Sequence, residues 1–261
     1  MTQLNALSAK TLALLVDPAH LQSAAIAAAR LRFGEGDNRH LVIDDFLVPH
    51  LLPLLRAMID EEGEFEDNLK LAKLSRADKP SGQLGPHGKV DADTFLAAPS
   101  EDRFICQRRL IGPKAGFEDS AASKAERFVR TMLASAPMHE WLTAITGLSV
   151  AATGGINLKL HGPGHFLKPH SDAREGRQLC AVFYLHETWQ RSYDGRFVLQ
   201  LADGGIERID PLPNRMILFD VTQQTIVMAS EQRRLHQILP WPMYSVFDSF
   251  VFSFWMFVVV D

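Results

Sequence analysis

Residues 156–185 read INLKLHGPGHFLKPHSDAREGRQLCAVFYL. Two short apolar runs, Ile156–Leu160 and Leu179–Leu185, flank a turn at Gly162-Pro-Gly164 and a polar segment holding His170-Ser171-Asp172. The same rhythm continues through Phe197–Leu201, Met216–Phe219, Ile226–Ala229, Leu235–Leu239 and Phe250–Val260. Asp194-Gly195, Asp203-Gly-Gly205 and Pro211-Leu-Pro213 stand between these runs. Short strands at close spacing, punctuated by turn residues, predict a β-sandwich or barrel. In a strand, residues two apart share a face. The imidazole of His170 and the carboxylate of Asp172 are therefore expected to converge. One more imidazole completes a two-His, one-carboxylate set, which binds Fe(II) and leaves positions open. Two histidines follow Asp172, namely His186 and His236. His236 is chosen by position, because a jelly roll brings such distant strands to one mouth.

Upstream, the pattern is helical. Residues 7–32 predict a helix with Ser8 as a cap, rich in strong helix formers over Ala24–Arg30. His40–Leu47 predicts a strand, and Pro49–Glu62 a helix carrying Leu51, Leu52, Leu54, Leu55 and Met58 at helical spacing. Residues 63–118 hold the turn signals Pro80-Ser-Gly82, Gly85-Pro-His-Gly88 and Gly112-Pro-Lys114. They are expected to be irregular, with short elements, and to act as a lid. Residues 120–147 predict a helix in two pieces, broken near Pro137 and ended by Gly147. The expected fold is α+β, a single domain over 1–261. Residues 1–150 would be a helical support and lid, and 151–261 a jelly-roll core.

Composition limits the function classes. The 261 residues are 46% hydrophobic and 22% charged, with a formal net charge of −4. Neither part of the chain about residue 155 is basic, so an electrostatic footprint for nucleic acid is lacking. Two cysteines, Cys106 and Cys180, cannot form a disulfide scaffold and suit a reducing compartment. Met1–Arg32 has no uninterrupted apolar signal core, and Phe250–Val260 is too short for a membrane helix of about 20 residues. A soluble cytoplasmic protein is expected, with no nucleic-acid or membrane partner. The expected partner is a small-molecule or peptide substrate, and a homodimer is left open.

Residues 156–257 resemble the catalytic core of the prolyl-4-hydroxylase-like Fe(II)/2-oxoglutarate-dependent dioxygenases. The pieces carrying the resemblance are His161-Gly-Pro-Gly-His-Phe-Leu-Lys-Pro-His-Ser-Asp172, Ala181-Val-Phe-Tyr-Leu185, Ile209-Asp-Pro-Leu-Pro-Asn-Arg-Met-Ile-Leu-Phe-Asp220, His236-Gln-Ile-Leu-Pro240 and Ser253-Phe-Trp-Met-Phe257, in the family's order. The resemblance implies a double-stranded β-helix core and Fe(II) held by His170, Asp172 and His236. It also implies 2-oxoglutarate and O2 as co-substrates, with hydroxylation of an unactivated C–H bond and release of succinate and CO2. The substrate would be a protein residue, a free amino acid or a biosynthetic intermediate. The retained Asp172 argues against the halogenase variation of the family.

One departure matters. The family places an Arg or Lys after the distal histidine, against the far carboxylate of 2-oxoglutarate, at a position near Ser249 here. No basic residue lies anywhere from Gln237 to Asp261. Tyr184 and His186, which share a face of one strand, and Lys159, which shares a face with His161, are the replacement candidates, with Arg215 a weaker one. His161 stands where the family often has a tyrosine near the co-substrate. A local zinc site of His161, His165 and His170 is an alternative for those histidines. For the whole chain the alternatives are a non-catalytic jelly-roll binding or sensing module, and an iron oxygenase of the same fold with another co-substrate.

Overall fold

The computed structural model describes residues 4–34, 39–72, 88–162, 164–172, 177–193, 195–201, 204–222, 225–228 and 249–258. The helical N-terminal stretch is two helices, α1 (Ala6–Leu12) and α2 (Ser23–Gly34), with a 3-10 turn at Pro18–Leu21 between them. Pro18 has no N–H to donate and starts that turn, while the Asp17 side chain accepts from the N–H of Ala19. Asn5, not Ser8, caps α1. Its Oδ1 accepts from the N–H of Ser8, and the Ser8 hydroxyl donates to Glu140 instead.

Strand β1 (His40–Ile43) follows, then α3 (Leu51–Ala57), which widens into a π turn over Met58–Glu62. Gly63 ends that turn. A Cβ there would lie 2.3 Å from the carbonyl oxygen of Met58. Strand β2 (Gly63–Leu71), helix α4 (Ala92–Ala97) and strand β3 (Arg103–Pro113) come next. The pairing of β2 with β3 corrects the expectation of an irregular lid over 63–118. The backbone ladder holds the two strands, and ion pairs cross between them, Glu66 with Arg109 at 2.6 Å and Asp67 with Arg108 at 3.7 Å. Such strands carry no apolar run for a sequence reading to find. The acidic stretch Asp60–Glu66 is accordingly the passage from helix into β2.

Helices α5 (Ala121–Leu133) and α6 (Ala136–Thr146) are separate elements. Ser120 and Ser135 cap them, Pro137 sits in the first turn of α6, and Gly147 closes α6 in the left-handed region at φ 78°. The remaining strands are β4 (Val150–His161), β5 (Phe166–Leu167), β6 (Arg177–Tyr184), β7 (Phe197–Gln200), β8 (Ile206–Ile209), β9 (Met216–Asp220), β10 (Thr225–Met228) and β11 (Ser249–Val258). The expected strand at Leu235–Leu239 lies outside the described residues.

Among the described residues, the strands form a large sheet in the order β1-β9-β6-β11-β4-β3-β2, with β5 paired to β3, and a small sheet in the order β10-β7-β8. Every pairing within them is antiparallel. The two faces of the large sheet have different partners. One face presents Leu158, Leu160, Leu179, Ala181, Phe183, Met216 and Leu218 to the helices, where Phe33, Val129, Leu133, Trp141 and Ile145 complete the core. The other presents Cys180, Val182, Tyr184, Ile217 and Phe219 to Phe197, Leu199 and Ile209 of the small sheet. This is a jelly roll with helices packed on its outer face. Among the described residues, no helix is long and apolar enough to cross a membrane.

Candidate active site

Strand β3 is a rail for the site. Its residues Arg108 and Arg109 pair with Leu160 and Lys159 of β4, and its residues Ile105 and Cys106 pair with Leu167 and Phe166 of β5. β4 thus ends at His161, and the chain turns and rejoins β3 at Phe166, five residues on. Gly164 takes φ 78° in that turn, and the N–H of Gly162 donates to Nδ1 of His165 at 2.9 Å. Past β5, the N–H of Lys168 donates to the carbonyl of Phe104 at 3.0 Å, and the Lys168 ammonium donates to the carbonyls of Ser100 and Glu101. His170 and Asp172 follow beyond the regular strand.

The two side chains converge as expected. Nε2 of His170 lies 3.4 Å from Oδ2 of Asp172. Nδ1–H of His170 donates to the carbonyl of Lys168 at 2.9 Å, which fixes the tautomer and leaves a lone pair on Nε2. The ring of Phe104 meets the His170 ring edge-on, centroids 5.7 Å apart. Arg177, the one charged residue of β6, brings Nη1 to 3.9 Å from Oδ1 of Asp172. His236 lies outside the described residues. Among the described residues no group of three or more His, Cys, Asp or Glu side chains is placed to hold a metal, so the zinc alternative of His161, His165 and His170 is not assembled.

The co-substrate candidates fall differently. Lys159 and Tyr184 both pair with Val251 across β11, so they share the inner face of the large sheet. His161, two residues on from Lys159, shares it too. The hydroxyl of Tyr184 and Nε2 of His161 are buried without a hydrogen-bond partner among the described residues, as is Oε1 of Gln107 on β3. Burial drives His161 down to about 3, helped by Lys159 and His165, so its ring is neutral. Burial also raises the Tyr184 phenol and lowers the Lys159 ammonium, while Asp172 pulls the latter back up.

Two other candidates are held by their own partners. Nε2–H of His186 donates to the carbonyl of Pro211 at 2.6 Å, and burial holds the ring at about 4. A neutral imidazole with only the lone pair of Nδ1 left over accepts hydrogen bonds and does not attract a carboxylate. Arg215 is spent on the Asp44 carboxylate and the carbonyl of Asp210. Sequence reasoning missed Arg177, Gln107, Phe104 and Arg56. Arg56 clamps the chain after β6, donating to the carbonyls of Leu185 and His186 and to the Glu187 side chain. A lone basic residue opening an apolar strand five residues after Asp172 was a usable signal for Arg177. Gln107 and Phe104 depended on recognising β3.

A histidine and a carboxylate side by side at a jelly roll form a donor pair suited to a divalent metal. Residues 156–257 match the family model described as the 2OG-Fe(II) oxygenase superfamily. That segment, about two fifths of the chain, is similar to this superfamily. Among solved structures, a Pseudomonas putida prolyl-4-hydroxylase matches with a TM-score of 0.52 at 17% identity, over 89% of this chain and 98% of that one. A Trichoplax adhaerens prolyl hydroxylase, solved with a hypoxia inducible factor oxygen degradation domain peptide fragment, matches at 0.54 and 13%, over 96% and 90%. A 2OG-Fe(II) oxygenase family oxidoreductase from Burkholderia pseudomallei matches at 0.52 and 12%, over 90% and 92%. At these identities the likeness is one of fold. No curated protein matches the sequence.

The described residues fit the metal. Two donors each about 2.1 Å from one ion, at an angle between a right angle and tetrahedral, lie roughly 3.0–3.4 Å apart. The His170–Asp172 separation of 3.4 Å falls in that range. The carbonyl behind Nδ1 is the usual outer support of a ligating histidine.

Proposed function

We propose that the chain is an Fe(II)/2-oxoglutarate-dependent hydroxylase acting on an unactivated C–H bond of a protein residue, an amino acid or a biosynthetic intermediate. In this reading His170, Asp172 and His236 hold the metal. The observation that carries it is the tautomer lock at His170, which turns the Nε2 lone pair toward the Asp172 carboxylate. When bound together, Fe(II), 2-oxoglutarate and O2 supply an oxidant that hydroxylates carbon and release succinate and CO2. The protein's own part is positioning and exclusion of water. Phe104 braces the His170 ring, Arg177 restrains the second oxygen of Asp172, and the apolar side chains of Cys180, Val182, Phe197, Leu199, Ile217 and Phe219 keep the inner face dry. Both cysteines are free thiols, which supports a reducing, cytoplasmic setting.

The test is an anaerobic titration of metal-free protein with Fe(II) and then 2-oxoglutarate, followed by visible absorption. The expected result is a weak charge-transfer band that needs both additions and vanishes in His170→Ala. Iron binding without the band would replace 2-oxoglutarate with another co-substrate. No iron binding at all would put the non-catalytic binding module in place of the hydroxylase.

A further inference from the structure

The inner face of the large sheet carries more positive charge than it neutralises. Arg109 and Lys89 both reach Glu66, at 2.6 Å each, and Arg177 faces Asp172. Lys70 and Lys159 are different: neither ammonium has a hydrogen bond or ion pair among the described residues. Lys70 stands on β2, at the sheet edge, two strands from β4. Lys159 stands on β4, next to the central strand β11, in register through Val251 with Tyr184 on β6. The Asp172 carboxylate is among the charges that act on its ammonium. A half-buried ammonium and a buried phenol hydroxyl, neither with an acceptor among the described residues, stand on one face with one strand between them and form a cradle that lacks its anion.

2-Oxoglutarate supplies an anion of the right kind. Its 2-oxo acid end chelates a metal, and two methylenes further on it carries a second carboxylate that needs strong donors once buried. The last strand offers none, since no basic residue occurs from Gln237 to the C-terminal Asp261. We propose that Lys159, working with the Tyr184 hydroxyl, holds the far carboxylate of 2-oxoglutarate, so that the anchoring cation comes from β4. This rests on the hydroxylase reading above.

The experiment uses the charge-transfer band as a binding signal rather than turnover. The protein, loaded with Fe(II) without oxygen, is titrated with 2-oxoglutarate and, separately, with 2-oxopentanoate, which has the same chain with a methyl group in place of the far carboxylate. A charge-assisted bond lost from a buried site corresponds to a 10- to 100-fold change, so Lys159→Met is expected to raise the half-saturating 2-oxoglutarate concentration by about 30-fold. The same variant leaves 2-oxopentanoate within about twofold of wild type, because that acid never used the ammonium. Lys159→Arg recovers most of the loss, and Lys70→Met changes neither titration. Thermal unfolding and Fe(II) binding of each variant report whether it is folded and loaded. If Lys159→Met binds 2-oxoglutarate like wild type, or weakens both acids alike, Lys159 is not the anchor while the hydroxylase reading stands. If wild type itself gives no band with 2-oxoglutarate, the hydroxylase reading fails and takes the anchor with it.

Discussion

The two faces of the large sheet contrast sharply. On the helix side, Leu158, Leu160, Phe183 and Leu218 are sealed in a continuous apolar core, and the polar groups buried with it, the Trp141 indole and the Ser123 and Thr146 hydroxyls, have partners. On the side of the small sheet, the same strands present half-buried Lys159 together with His161 and Tyr184, whose Nε2 and hydroxyl are buried without a partner among the described residues. One face is built to be stable as it is. The other holds polar groups left without partners, and unsatisfied groups of that kind cost a protein of marginal stability.

The contrast predicts opposite responses to mutation and acid, and the largest lies on the helix face. Phe183 is fully buried and its ring sits 5.8 Å from that of Phe46. Phe183→Ala is expected to lower unfolding free energy by about 4 kcal/mol in a denaturant titration. A loss under about 1 kcal/mol would show that this face is loosely packed. Acid gives the next effect, through the rim of the inner face. The His186 ring is held at about 4 by burial, opposed by its bond to Pro211 and reinforced by Arg56. An unfolded chain takes up that proton at about 6.5. The unfolded state therefore binds more protons between the two values, and stability present above pH 6.5 is lost as pH falls toward 4. The contribution is about 3 kcal/mol over that window, measured as the pH dependence of the unfolding midpoint, and His186→Asn should flatten it. The smallest effect has the opposite sign. Tyr184→Phe removes a buried hydroxyl that has no partner, and should raise the stability of ligand-free protein by about 1 kcal/mol while weakening 2-oxoglutarate binding. A destabilised Tyr184→Phe would show that the hydroxyl is already satisfied.

What the sequence revealed follows the same division. β6 and β9 were legible because both their faces are buried, and they read as unbroken apolar runs from Leu179 and Met216. β2 and β3 were illegible because charged residues break up their apolar positions, and β8, Ile206–Ile209, because it is short and half exposed. His170 and Asp172 could be found by spacing alone, although they lie just past a regular strand. The environment of Lys159 could not, since its meaning depends on register with β11 and β6. His186 looked like an anchor by parity, and only the carbonyl of Pro211, distant in sequence, shows which of its nitrogens is left over.

The strand order has a consequence for where this protein ends as a physical object. The residues that match the oxygenase family begin at 156, in the middle of β4, yet β9 is covered by β1 and β4 by β3. Asn214 reinforces the first junction, accepting from the N–H of Leu47 and donating to its carbonyl, both at 2.9 Å. A chain trimmed to the matching segment would turn these two interior strands into open edges with unpaired amides. Open edges are templates for other chains, so the N-terminal residues also serve as a guard against self-association of the sheet that carries the chemistry.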